Sequence, residues 1–262
     1  MSKVIVDVSQ GIATITFNRP DTLNAITAED YEAFASALRD IDQRPDVLVT
    51  VWQATGRWFC AGTDVKASKL PAPTLRRQFL TRVADTNTET SHALYTHSKI
   101  LVAALNGPVM AAFLGHFDFI YCVPNAWLSV PFTFLGLVAE GGSSVMFMKR
   151  MGVAKANEAL IWGKKLTAEE LLACGFVNQI FAQQTPESFH VAVRKHLLEQ
   201  LSGLEPSSVL GVKKLLKAGL KEQNDPDAAN IRESFEQAKQ LHTGIPADRF
   251  ARIARKEIRH KL

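Results

Sequence analysis

The sequence predicts an α/β fold closed by a helical C-terminal region, and three patterns carry that expectation. Val4, Val6 and Val8 alternate with Ile5, Asp7 and Ser9, and Ile12, Thr14 and Thr16 alternate with Ala13, Ile15 and Phe17. With Ser9-Gln10-Gly11 between them, this is the period of a β-hairpin. Apolar runs at 47–52 and 100–105 then alternate with stretches of helical period, the arrangement of an α/β core. Beyond about residue 150 the apolar residues recur mainly at helical spacing.

The elements follow in order. Asn18 to Ala25 has loop chemistry, and Thr27 is a good N-cap for a helix carrying Tyr31, Phe34, Leu38 and Ile41 on one face. Residues 47–52 and 100–105 read as buried strands, and 119–123 and 126–130 as shorter ones. Helices are expected over 154–162, 168–174, 186–201, 207–221 and 226–242. No internal repeat or low-complexity linker divides the chain.

Composition narrows the function classes. A chain of 262 residues with 47% hydrophobic content can bury one large core. The net charge of +4 is spread along the chain, apart from a basic stretch from Arg249 to the end. No aromatic-plus-basic stripe or nucleic-acid module accompanies it, so no nucleic-acid partner is expected. Cys60, Cys122 and Cys174 are odd in number and widely spaced, which supports neither a disulfide framework nor a metal site. The strand pattern begins at the N-terminus, so no cleaved leader is expected. The apolar runs are too short to predict membrane insertion. Together these features predict a soluble intracellular protein.

Three glycine-bearing segments follow strand patterns: Trp58-Phe-Cys-Ala-Gly-Thr-Asp64, Asn106-Gly-Pro108, and the run from Gly136 to Gly142 around Glu140. A glycine turn presents backbone N–H groups to a ligand without a side chain in the way, and a following helix N-terminus supplies more of them. Two such groups aimed at one point would form an oxyanion hole. Glu140 is the only acidic residue between Phe119 and Asn157, and it is flanked by Leu137, Val138, Ala139 and two glycines. Buried without a partner it would hold its proton more tightly than usual, as a general acid or base near neutral pH requires. The plainer reading is a surface-loop carboxylate or a helix cap.

In order and spacing these segments resemble the enoyl-CoA hydratase/isomerase (crotonase) superfamily, from the N-terminal hairpin to the C-terminal helices. Phe17-Asn-Arg-Pro-Asp-Thr-Leu-Asn-Ala25 resembles the family's CoA loop, and Phe59 to Asp64 its first oxyanion loop. Ala104-Leu-Asn-Gly-Pro108 resembles the second oxyanion loop, and Leu135 to Gly142 the version found in peroxisomal Δ3,Δ2-enoyl-CoA isomerases. The resemblance implies a ββα spiral core with the CoA and acyl site over residues 1–200, and a helical region over 201–262 used for trimerisation. It implies acyl-CoA thioesters as substrates, coenzyme A as part of the substrate rather than a separate cofactor, and a homotrimer or dimer of trimers. Residue by residue, it implies Glu140 as the catalytic acid/base, and Thr63 and Ala112 as the oxyanion-hole N–H donors. Leu23, Ala25, Ala61, Gly62 and Asp64 match CoA-binding positions. Ala25 and Ala61 also suit tight turns, and Asp64 also suits a cap. Lys66 and Lys69 stand near the CoA phosphates or on a solvated face. His260-Lys261-Leu262 resembles a variant peroxisomal C-terminal signal, which implies an import receptor as partner and a peroxisomal location.

The branch follows from proton bookkeeping. Family hydratases use two glutamates, and the matching positions here fall on Phe132 and in 113–116, neither of which holds an acid. A double-bond shift needs one base that returns the proton, so the expected activity is Δ3,Δ2-enoyl-CoA isomerisation in fatty-acid β-oxidation. Hydration in a specialised pathway and a CoA-binding subunit with impaired catalysis are the alternatives. Two departures bear on the site. Thr63 stands where the family usually has Ala. The segment from Asn106 to Asp118 is about three residues shorter than the family pattern, nearly one helical turn. Gly115 either lets that segment rejoin the next strand or is a packing glycine. His116 lies near the proposed site, and Phe113 and Phe117 either line an acyl pocket or pack in the core.

Overall fold

The computed structural model describes residues 3–64 and 72–260. Strands β1 (Val4–Ser9) and β2 (Ile12–Phe17) form the antiparallel hairpin, with Val4 opposite Phe17 and Ser9 opposite Ile12. Gln10 and Gly11 turn with φ of 51° and 74°, the left-handed pair that matches the twist of a two-residue hairpin. Strands β3 (Val49–Ala54), β4 (Ile100–Leu105) and β5 (Phe119–Cys122) add in parallel, and the sheet order is β1-β2-β3-β4-β5-β8, with β8 at Gln179–Ile180. A ribbon of β6 (Trp127–Leu128) and β7 (Leu166–Thr167) stands apart.

Strand β3 starts two residues later than its apolar run. The N–H groups of Leu48 and Val49 both donate to the Gly11 carbonyl, so pairing with β2 begins at Ile12 opposite Val49. The predicted strand at 126–130 shrinks to Trp127 and Leu128, the two residues that find partners on β7.

Helix α1 (Ala28–Asp42) starts at the expected cap. Thr27 accepts from the Asp30 N–H while Asp30 accepts from the Thr27 N–H. Helix α2 (Leu75–Phe79), a π-helix over Leu80–Thr88 and α3 (Glu89–Thr96) lead into β4. A 3-10 helix at Ala112–His116 occupies the shortened segment between β4 and β5. After α4 (Phe132–Leu135), α5 (Ser143–Leu160) is broken at Gly152, whose φ of 75° is non-helical. Only the part beyond that break had read as helix. Then follow α6 (Ala168–Ala173), α7 (Pro186–Leu201), α8 (Pro206–Gln223), α9 (Pro226–His242) and α10 (Ile245–Ala254).

Trp52 on β3 organises the core. Its ring lies 5.2 Å from Phe17, 4.9 Å from Phe34, 4.5 Å from Phe59 and 5.7 Å from Phe117. The last two carry the loop after β3 and the end of the 3-10 helix, so aromatic packing fixes both segments that build the site. Helix α8 docks by burying Lys213, whose ammonium meets Asp118 at 2.7 Å and the Lys99 carbonyl. Among the described residues no helix is long and apolar enough to cross a membrane.

Candidate active site

The two glycine loops after β3 and β4 are zipped together. Phe59 and Cys60 donate to the Pro108 carbonyl, and Met110 donates to Cys60 at 2.8 Å. The Asn106 amide reaches the Gly56 carbonyl at 2.6 Å. A Cβ on Gly107 would stand 2.2 Å from the Arg57 oxygen, so this crossing admits only glycine. Gly62, at φ 83°, carries the chain past Met110.

Thr63 then forms a parallel bridge with Ile26. Ile26 donates to the Gly62 carbonyl at 2.8 Å and Asp64 donates to the Ile26 carbonyl at 2.9 Å. A parallel bridge uses the groups that flank the bridged residue, so the Thr63 N–H points to the opposite side. It has no backbone partner among the described residues. The Thr63 hydroxyl meets the Tyr31 hydroxyl at 2.7 Å. Ala112 is the first residue of the 3-10 helix, follows an extended Ala111 and has no side-chain cap. Its N–H is likewise without a backbone partner among the described residues.

Glu140 reaches this place through two left-handed glycines. Gly141 and Gly142 have φ of 69° and 75°. A Cβ on Gly141 would stand 3.0 Å from both the Ala112 Cβ and the Phe113 ring, and one on Gly142 would strike the His116 ring. These glycines let the turn lie against the 3-10 helix, with Gly141, the residue after Glu140, packed on Ala112 and Phe113. Oε2 of Glu140 accepts from the Asn87 amide and the Gln237 amide, each at 2.5 Å. The residue keeps a little surface, but burial of its carboxyl is the main cause that pushes its pKa up to about 7. The Gln237 hydrogen bond opposes that rise and the nearby Glu233 charge adds to it. Burial, reinforced by Glu140, drives the Tyr31 hydroxyl well above its ordinary value, so it stays protonated.

The loop expected to bind CoA is built by Asn24, which the sequence reading passed over. Leu23 and Asn24 are both left-handed, with φ of 56° and 55°. The buried Asn24 amide accepts from Arg19 N–H at 2.8 Å and donates to the carbonyls of Thr55 at 2.8 Å and Trp58 at 2.7 Å. Arg19 is held in turn by Asp30 at 2.7 Å. Through Ile26 this loop, with Leu23 and Ala25, joins the segment of Ala61, Gly62 and Asp64. Lys66 and Lys69 lie outside the described residues. Asn24→Ala is expected to lower the unfolding free energy by about 3 kcal/mol, from three lost buried hydrogen bonds and a left-handed backbone, measured by urea unfolding.

Other candidates resolve into packing. His116 is a wedge behind Gly142, and burial holds its pKa down to about 4, so it is neutral. Phe113 faces Tyr31 and Gly141, whereas Phe117 packs on Trp52, because 3-10 winding does not put residues i and i+4 on one face. Gly115 is a packing glycine, since a Cβ there would meet Met146 at 2.6 Å. Among the described residues no cluster of His, Cys, Asp and Glu could hold a metal ion. Asn87, Tyr31, Gln237 and Glu233 are site residues that sequence reasoning did not single out.

Fold and site define an α/β protein in which one buried carboxyl, Glu140, lies in a turn packed on the 3-10 helix that starts at Ala112. Residues 7–248 match the family model described as Enoyl-CoA hydratase/isomerase, and the chain belongs to that family. It is 36% identical, over 96% of both chains, to a protein named Delta(3,5)-Delta(2,4)-dienoyl-CoA isomerase from Pyricularia oryzae. It is 32% identical to the 3,2-trans-enoyl-CoA isomerase of Saccharomyces cerevisiae, covering 93% of this chain and 91% of that one. The crystal structure of an enoyl-CoA hydratase/isomerase from Pseudoalteromonas atlantica superposes with a TM-score of 0.82 at 27% identity, over 100% of each chain. The crotonase-like core with a helical C-terminal region, expected from the sequence, is therefore the fold of this chain.

Proposed function

We propose that the protein is an enoyl-CoA isomerase that moves the double bond of a 3-enoyl-CoA to the 2-trans position, with Glu140 as its single acid/base. The observation that carries this reading is one carboxyl, Glu140, in a turn whose next residue, Gly141, packs on Ala112, and close enough to act electrostatically on Tyr31, whose hydroxyl meets Thr63, while the hydratase positions hold the buried Phe132 and an acid-free 113–116. The Glu140 carboxylate takes the C2 proton, and the negative charge moves onto the thioester oxygen. The Thr63 and Ala112 N–H groups receive that oxygen. Glu140, now the acid, returns the proton at C4. Leu23, Ala25, Ala61, Gly62 and Asp64 bind the CoA moiety, and no further cofactor is needed.

A second reading is favoured by the Pyricularia relative: conversion of a 3,5-dienoyl to a 2,4-dienoyl thioester, in which the proton leaves C2 and returns at C6. The longer transfer suits two acid/base groups, and Glu140 alone favours the shorter one. Incubation with 3-enoyl-, 3,5-dienoyl- and 2-enoyl-CoA, with the products resolved by chromatography, separates these reactions from hydration. Turnover of the 3-enoyl ester is expected; 3-hydroxyacyl product alone would overturn the reading, and binding without any turnover would leave a CoA-binding subunit. Because the base must be ionised to start, kcat/KM is expected to rise with pH and reach half its plateau near pH 7, where Glu140 titrates.

We place the enzyme in peroxisomal fatty-acid β-oxidation, supported by the His260-Lys261-Leu262 tail, of which residues 261 and 262 lie outside the described ones. A trimeric assembly is supported by the outward apolar side chains of Val212, Leu215 and Leu216 on α8.

A further inference from the structure

Helix α9 lies in the C-terminal region expected to serve assembly, yet its inner face is polar and buried. Asn230, Glu233, Ser234 and Gln237 follow one another at helical spacing and are at most 6% exposed. All four bond to the segments that carry Glu140 and Asn87. Asn230 donates to the Thr88 carbonyl at 3.0 Å, and the Ser234 hydroxyl meets that of Thr88 at 2.7 Å. This pins the end of the π-helix, next to Asn87.

Gln237 has only one way to face Glu140. Its Oε1 accepts from the Val138 N–H at 3.2 Å, so its Nε2 must be the atom that donates to Glu140 Oε2. Asn87 adds a second N–H to the same oxygen. With both amides donating to Oε2, that oxygen is held as the acceptor, and the proton of the neutral carboxyl is directed to Oε1.

Glu233 acts from the other side. Helix α5 begins at Ser143, whose N–H and hydroxyl both donate to the Glu140 carbonyl, so its positive end lies directly behind the carboxyl-bearing residue. Glu233 takes the Gly142 N–H at 2.7 Å and the Ser144 N–H at 2.9 Å, one on each oxygen. Burial pushes the Glu233 carboxyl up, and these hydrogen bonds from Ser144 and Gly142 oppose that rise and favour its ionised form as the cap of a helix which has no side-chain cap of its own.

We propose that α9 is a working part of the active site of its own chain: Gln237 orients the Glu140 carboxyl so that proton transfer runs through Oε1, and Glu233 neutralises the α5 terminus behind it. Both are positioning residues, and the proposal rests on the reading of Glu140 as acid/base. The titratable groups around Glu140 are Glu233 from α9, Tyr31 from α1 and His116 from the 3-10 helix. Tyr31 stays protonated and His116 neutral through the working range, so Glu233 is the one charge facing the carboxyl from these elements.

The two residues act on Glu140 in opposite senses, which a merely structural role would not reproduce. Losing the Gln237 donor removes an interaction that favours the charged form, so Gln237→Met is expected to move the acid limb of kcat/KM up by roughly one pH unit. Its kcat should fall about tenfold with KM within about twofold. Glu233→Gln removes a nearby negative charge and uncovers the helix terminus, so its limb is expected to move down. The full-length protein is assayed on a 3-enoyl-CoA across pH 5 to about 9. If Gln237→Met does not fold, Gln237→Asn, one methylene too short to reach Oε2, is read in its place. Unmoved limbs in both variants, or limbs moving the same way, would overturn the proposal. Failure of the underlying reading looks different: Glu140→Gln would then keep its turnover.

Discussion

Glu140→Gln is expected to abolish turnover of 3-enoyl-CoA, with at least about a thousandfold loss in kcat, while binding of the CoA ester persists. A positioned general acid or base is worth roughly 10²–10⁴ in rate, and in the proposed mechanism one carboxyl serves both proton removal and return. The substitution preserves shape, because the Gln carbonyl can accept from Asn87 and Gln237 as Oε2 does. Affinity, measured by calorimetry with a CoA ester, should therefore stay within a few-fold, and near-normal turnover would remove Glu140 from the mechanism. The same variant has a stability signature. Burial raises the carboxyl from 4.5 to about 7 in the fold, so the folded state holds the proton more tightly than the unfolded chain. That contribution is complete below about pH 4.5 and is lost as pH rises through 7, above which the charged, buried carboxylate costs stability. Glu140→Gln is thus expected to melt higher than the parent at pH 8 and not at pH 4, a trade of activity for stability common at active sites.

Ala112→Pro is expected to cost a hundredfold to a thousandfold in kcat, about 3–4 kcal/mol of transition-state stabilisation. Proline deletes the one backbone N–H in question. The site tolerates it structurally, since Ala112 is the first residue of its helix and Ala111, at φ −135° and ψ 117°, already has the extended conformation that a following proline demands. Circular dichroism and thermal melting should therefore stay close to the parent. Unchanged turnover in a folded Ala112→Pro protein would mean that Ala112 is not an oxyanion donor and that the shortened segment after Asn106 has moved the donor elsewhere.

What could be read from the sequence was local. Thr27 announces the cap of α1, the alternation at 4–17 announces the hairpin, and Pro186 and Pro226 open α7 and α9 where expected. Strands β7 and β8, two residues each, are too short to show a period of two, and they form because β6 and β5 offer them an edge. The 3-10 winding at 112–116 was hidden because apolar spacing over five residues does not distinguish it from a short α-helix. Asn24 looked like one more loop residue; its role as the buried tie between Arg19, Thr55 and Trp58 needs two partners more than thirty positions away, Thr55 and Trp58. On α9, Asn230, Glu233, Ser234 and Gln237 form a polar stripe, and polarity at helical spacing reads as a solvated face.

The α/β class, the order of the three glycine loops and the choice of Glu140 as the candidate carboxyl could be read from residue type and short-range spacing. What surrounds that carboxyl comes from distant parts of the chain brought together by packing. Asn87 comes from a π-helix, Ala112 from a shortened turn, and Gln237 and Glu233 from a helix almost a hundred residues further along. Burial and these partners set its proton affinity, and both are properties of the packed chain rather than of any segment within it.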